Sequence, residues 1–347
     1  METKIKVLVV DDTAFMRKEV TRILEADPDI AVVGAARNGL EALEEIRRMN
    51  PDVVTLDIDM PIMDGLTAMR HIMVESPRPV VALSSLFGDG AVTFEALRLG
   101  IVDFVPKPSG AISTNIDTAR QQLIDRIKIA CSMNLLNVRR VRLRKNWTES
   151  QRIDRLYGFQ PLDYMIVIGT TLTGPNTIIR LLSSLSPLLP AAVIVHQEIS
   201  PQILEAFAAE FNRHVPWRVE AASDGLIVEQ GVCYIGSTED ALGLGLNEIG
   251  EVRLHIGPTV TAPLDTLFSS ASEIFGRNTI GLLLTGIGSD GARGFARIKA
   301  NSGTTIVQDR QCCVFPNLTD NAIQKGVVDL ILDERQLPHA LESLMAT

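Results

Sequence analysis

The first third of the chain alternates two patterns of apolar and polar residues. Ile5–Val10 is a mainly β-branched apolar run, as in a strand buried on both faces. Ala14–Ala26 then places Phe15, Val20, Ile23 and Leu24 at helical spacing. Ile30–Ala35 reads as a second strand and Gly39–Met49 as a short amphipathic helix. Asp52–Leu56, Val80–Leu83 and Val102–Val105 read as three further strands, with helical patterns between them. This alternation predicts a parallel sheet covered on both faces, with right-handed crossovers. A last helix is expected from Thr114 to Met133.

The pattern then changes. Residues 126–162 form a helical and basic linker in which Arg139, Arg140, Arg142, Arg144 and Lys145 precede Trp147. Such a charge run is read as a solvated segment rather than as a docking site for an acidic partner. Strand patterns return at Met165–Ile168, Ala192–Val195, Val232–Ile235, Val252–Ile256, Thr279–Leu284 and Thr304–Val307. Helical patterns cover Gly174–Ser183, Leu204–Phe211 and Ala292–Ala300. The expected architecture is α/β throughout. A flavodoxin-like five-stranded parallel domain occupies residues 1–125, and a second doubly wound α/β domain occupies residues 163–347.

Composition narrows the function classes. Of 347 residues, 46% are hydrophobic and 22% charged, which fits a globular chain and excludes extended disorder. The net charge of −9 argues against a nucleic-acid partner. No apolar run approaches the roughly 20 residues of a membrane span. The N-terminal apolar run stops at Asp11 and Asp12, so neither a signal peptide nor membrane insertion is expected. Cys131, Cys233, Cys312 and Cys313 have no metal-ligand spacing, consistent with a reduced, cytoplasmic setting.

In an open parallel sheet, the loops at the carboxyl ends of the strands build the site. Here those ends carry Asp11 and Asp12, Asp57, Ser84, and Lys107. Three converging carboxylates repel one another unless a cation joins them, and Mg²⁺ suits oxygen ligands. Asp57 is then the nucleophile toward a phosphoryl donor, with Lys107 and Ser84 holding phosphoryl oxygens. As lone residues these aspartates would be turn or cap residues, but a set with every member at a strand end is not accounted for that way.

Leu56-Asp57-Ile58-Asp59-Met60-Pro61, Met63-Asp64-Gly65 and Val105-Pro106-Lys107-Pro108 resemble the phosphorylation loop and the last strand of two-component receiver domains. The resemblance implies phosphorylation of Asp57 by a histidine kinase. It also places Phe104 at the family's aromatic switch position, although core packing explains that residue equally well.

Tyr164–Thr347 resembles the catalytic domain of the chemotaxis protein-glutamate methylesterases, the CheB family. The anchors are Val167-Ile168-Gly169 with Gly174, Phe207–Asn212, Asp224-Gly225, Gly257-Pro258, and Leu284-Thr285-Gly286-Ile287-Gly288-Ser289-Asp290-Gly291. This resemblance implies hydrolysis of glutamyl methyl esters, and deamidation of glutamines, on methyl-accepting chemoreceptors by Ser, His and Asp. At those positions the sequence carries Thr171, Glu198 and Asp290. Thr keeps a hydroxyl but adds a methyl that stiffens χ1. Glu, with a reference pKa of about 4.3, is a weak base at neutral pH.

His196, two residues before Glu198, is either a displaced base or a buried strand histidine, and the second role fits better. Asp290 could be retained as a helix N-cap, and Thr171 and Thr173 could cap the helix at Pro175. The expected function is a phosphorylation-regulated response regulator of this family with impaired esterase activity. The alternative is an active methylesterase and deamidase using Thr171 as nucleophile with a displaced base.

Overall fold

A computed structural model describes residues 4–84, 90–107, 116–138, 161–171 and 174–346. Most of the basic run, from Arg139 to Lys145, and Trp147 lie outside the described residues, as does Thr173. The chain divides into two compact units, residues 1–87 with 95–140, and residues 88–94 with 141–347.

The first unit contains β1 (Ile5–Val10), α1 (Ala14–Glu25), β2 (Ile30–Ala36), α2 (Gly39–Met49), β3 (Val53–Asp57), α3 (Gly65–Glu75), β4 (Val80–Ser84), α4 (Gly90–Leu99), β5 (Asp103–Pro106) and α5 (Ile116–Cys131). Helix α4 straddles the boundary between the units. The sheet is parallel in the order β2-β1-β3-β4-β5, the flavodoxin-like order expected. Helix α1 packs with α5, and α2 with α3. All of Val53–Asp57 is buried, so the central strand needs the apolar run that its sequence carries.

Local chemistry sets the helix ends. The Asn38 side chain caps α2 by accepting from the Glu41 N–H at 3.0 Å, and Asp64 caps α3 through the Thr67 N–H at 2.8 Å. Gly65 passes directly over the end of β3, donating its N–H to the Ile58 carbonyl at 2.8 Å. A Cβ at Gly65 would collide with the Asp57 carbonyl, so only glycine permits this approach.

The second unit is built on a seven-stranded parallel sheet of β6 (Tyr164–Thr170), β7 (Ala191–Gln197), β8 (Arg218–Ala221), β9 (Val232–Ser237), β12 (Thr279–Leu283), β13 (Thr304–Gln308) and β14 (Leu330–Leu332). The order is β14-β13-β12-β6-β7-β9-β8. An antiparallel hairpin, β10 (Ala241–Leu246) with β11 (Val252–Gly257), departs from the doubly wound plan. The helices are α6 (Gly174–Ser184), α7 (Leu204–His214), α8 (Pro263–Phe275), α9 (Ala292–Ala300), α10 (Asn317–Gln324) and α11 (Leu337–Met345).

Helix α8 packs on α9, β6 and β10. Their shared core includes Met165, Val167, Leu242, Leu264, Phe268 and Phe295, and the last two rings stand 5.2 Å apart. Helix α6 packs with α7 and α11. The chain leaves β6 to β7 on one side and returns through β12 on the other, so the loops after β6 and β12 flank the topological switch point.

Candidate functional site

The carboxyl edge of the first sheet gathers the expected acids. Asp11 and Asp57 are 0% and 2% exposed, and Asp12 is exposed. One oxygen from each of the three can lie within 4.8 Å of the others. The Lys107 ammonium reaches over them, 2.6 Å from Asp57 Oδ2 and 2.9 Å from Asp11 Oδ2. Those two oxygens are buried, with the Lys107 ammonium as their close neighbour. A hard divalent cation with oxygen ligands fits this donor set, and Mg²⁺ is the ion that receiver domains use.

Burial pushes the Asp57 carboxyl above its ordinary range. Lys107 opposes that shift, and Asp11 adds to it. Burial works to lower Lys107 as well, but its ion pairs with Asp57 and Asp11 hold it raised. Ser84 ends β4 beside Pro106 of β5, with its side chain outside the described residues. Phe104 lies half-buried on β5.

Two residues that the sequence did not single out organise this pocket. The Thr13 N–H and Oγ1 donate to Asp11 Oδ1 at 2.9 and 2.6 Å. Arg17 Nη1 donates to the carbonyls of Asp11 and Asp12 at 2.8 and 2.9 Å. Neither position carries a signal in a single sequence, because Thr after an acidic pair and Arg on a helix are both ordinary.

The second unit brings Thr171 and the glycine-rich loop after β12 together. Thr171 Oγ1 accepts from the Ile287 N–H at 2.7 Å. Thr170 Oγ1 donates to the Thr285 carbonyl at 2.7 Å. Gly286 closes this contact: a Cβ there would crowd Thr171 Oγ1 and strike Leu318. Gln197 meets Thr171, its Nε2 donating to the Thr171 carbonyl at 2.6 Å.

Glu198 is half-buried beside Glu239. Burial, followed by the charges of Asp240 and Glu198, raises the Glu239 carboxyl. His196 is 0% exposed and its Nε2 lies 2.6 Å from the Ser237 carbonyl. Burial lowers its pKa to about 4, so the ring is neutral at pH 7 and Nε2 is the donor.

Asp290 is spent on backbone. Its Oδ2 accepts from the Leu264 N–H at 2.7 Å, and its Oδ1 accepts from Asp265 and Gly291 at 3.1 and 2.7 Å. It therefore caps α8 rather than α9, the helix that follows it in the sequence. That helix, α9, is served by Asp265, whose Oδ1 accepts from the Gly294 N–H at 2.7 Å. Burial raises the Asp290 carboxyl against the pull of the Leu264 N–H, and the Asp265 charge raises it further.

Comparison with known proteins agrees with both halves. Residues 7–115 match the response regulator receiver domain, and residues 166–341 match the CheB methylesterase. A protein-glutamate methylesterase/protein-glutamine glutaminase of Halalkalibacterium halodurans is 36% identical, covering 95% of each chain. The protein of that description from Pyrococcus horikoshii is 34% identical over 98% of this chain and 94% of its own. The crystal structure of the Thermotoga maritima CheB methylesterase catalytic domain superposes with a TM-score of 0.50 at 28% identity, covering 52% of this chain and 98% of that one. A receiver sheet with its acidic edge, followed by a seven-stranded methylesterase sheet, makes this chain a member of the CheB family of chemotaxis response regulators.

Proposed function

We propose that this protein is a cytoplasmic, phosphorylation-controlled CheB-family regulator whose second domain binds chemoreceptor glutamyl sites and hydrolyses them little or not at all. The phosphodonor is a chemotaxis histidine kinase. Asp57 attacks the phosphorus, the P–N bond of the phosphohistidine breaks, and an aspartyl phosphate forms. The Lys107 ammonium, already between Asp11 and Asp57, pairs with a phosphoryl oxygen. Asp11, Asp12 and Asp57 would hold Mg²⁺, which screens the charge of acids and phosphate. Ser84 and Phe104 carry the change of state to the rest of the domain.

The observation that carries the loss of hydrolysis is the Thr171 hydroxyl. It accepts the Ile287 N–H, so one lone pair of the would-be nucleophile is occupied. A serine-type hydrolase also needs a base on that hydroxyl, and Glu198 is a carboxylate in acidic company. His196 supports the strand end through Ser237 and serves packing. Asp290 is kept because two backbone N–H groups at the start of α8 require it.

Restoring the chemistry tests this reading. Thr171→Ser with Glu198→His is expected to yield methanol from methylated receptors, while either change alone yields little. Nucleophile and base act as a unit, and their effects are strongly non-additive. A double variant that binds receptor yet stays silent would contradict the assignment of these positions.

A further inference from the structure

We propose that Arg17 is a positioning residue for the cation site of the first domain, holding Asp11 and Asp12 in register through their backbone; this rests on the receiver reading above. Consecutive residues of a strand point to opposite faces. If β1 simply continued, Asp11 and Asp12 could not both turn toward Asp57. Yet all three offer oxygens within 4.8 Å of one another, so the backbone turns at this point.

Two separate ties hold that turn. Thr13 grips the Asp11 carboxylate through its N–H and hydroxyl. Arg17, one turn into α1 and half-buried, places the two hydrogens of Nη1 on the successive carbonyls of Asp11 and Asp12. The Arg17 N–H also bonds the Thr13 carbonyl at 3.1 Å, which fixes the side chain's own origin. One planar nitrogen bridging two carbonyls sets the peptide orientation from which both carboxylates project.

Charge and positioning predict opposite signs. A guanidinium near a cation site repels the cation, so its removal by charge alone would tighten Mg²⁺ binding. A positioning role predicts weakening, since losing the partner that orients a ligand typically costs 10–100-fold in metal affinity.

Calorimetric titration of the full-length protein with Mg²⁺ separates them. Arg17→Met is expected to weaken binding about tenfold or more. Arg17→Lys keeps a charged donor and should recover most of the affinity. Arg22→Met, which breaks the surface pair with Glu19 on the same helix, should leave it within about twofold. The Mg²⁺-induced rise in the first domain's unfolding midpoint should shrink in parallel for Arg17→Met. If that variant does not fold, Arg17→Gln, too short to span both carbonyls, carries the same test. Equal or tighter Mg²⁺ binding by Arg17→Met, or by Arg17→Gln in its place, would overturn the proposal while leaving the receiver reading intact. A wild-type protein that takes up no Mg²⁺ would overturn both.

Discussion

His196 shows how burial sets the behaviour of a single residue. Enclosed at the end of β7 and bonded to Ser237, it has a pKa of about 4 against an ordinary 6.5. A neutral buried ring means that the unfolded chain binds the proton more readily between these values. Its contribution to stability is therefore full above pH 6.5 and is lost as pH falls toward 4, by about 3 kcal/mol at the lower end. His196→Gln keeps an N–H donor for Ser237 and removes the titration. Urea unfolding followed through buried Trp217 should show a steeper acid loss in the wild type than in the variant. Parallel curves would mean that His196 is not held neutral. The sequence already left this residue as either base or packing group. Its complete burial and the bond from Nε2 to the Ser237 carbonyl fit the packing role.

At the scale of elements, two helices exchange caps. Asp290 serves α8 and Asp265, in the first turn of α8, serves α9. Asp290→Asn retains one acceptor where two oxygens take three N–H groups, so a loss of about 1–3 kcal/mol in the second domain is expected. Receptor binding should persist, since the change touches a helix end. A fully stable Asp290→Asn protein in urea unfolding would argue against this capping role.

These elements also show what was legible in the sequence. Strands buried on both faces, such as Val53–Asp57 and Ala191–Gln197, are continuous apolar runs and were read to within a few residues. The β10 strand was not read: its Ala-Leu-Gly-Leu-Gly-Leu alternates apolar residues with glycine, which weakens the strand signal until β11 pairs with it. Helix α8 escaped because its serines interrupt the apolar face, although Pro263 at its start is an ordinary helix opening. The acidic pocket was legible because its members sit at strand ends. The tie between Thr171 and Ile287 was not, since 116 positions separate two residues that only the order of β6 and β12 brings together.

Over the whole molecule, the two sheets use the same physical device. Each assembles its candidate site from loops at the carboxyl ends of parallel strands. The first keeps the full acidic set and its lysine. The second keeps the scaffold, with its glycine-rich loop and capping Asp290, while the hydroxyl at Thr171 is tied to that loop. On the reading proposed above, a phosphorylation switch controls a site whose chemistry has been altered. The most direct measurement is methanol release from methylated receptor membranes by the purified full-length protein, with and without acetyl phosphate and Mg²⁺, and with Asp57→Asn as the unphosphorylatable control. The expected result is release at the level of the protein-free blank in every state, because loss of the base alone costs a serine-type hydrolase several orders of magnitude. Release that rises on phosphorylation, disappears in Asp57→Asn and is abolished by Thr171→Ala would contradict the account and make Thr171 a working nucleophile.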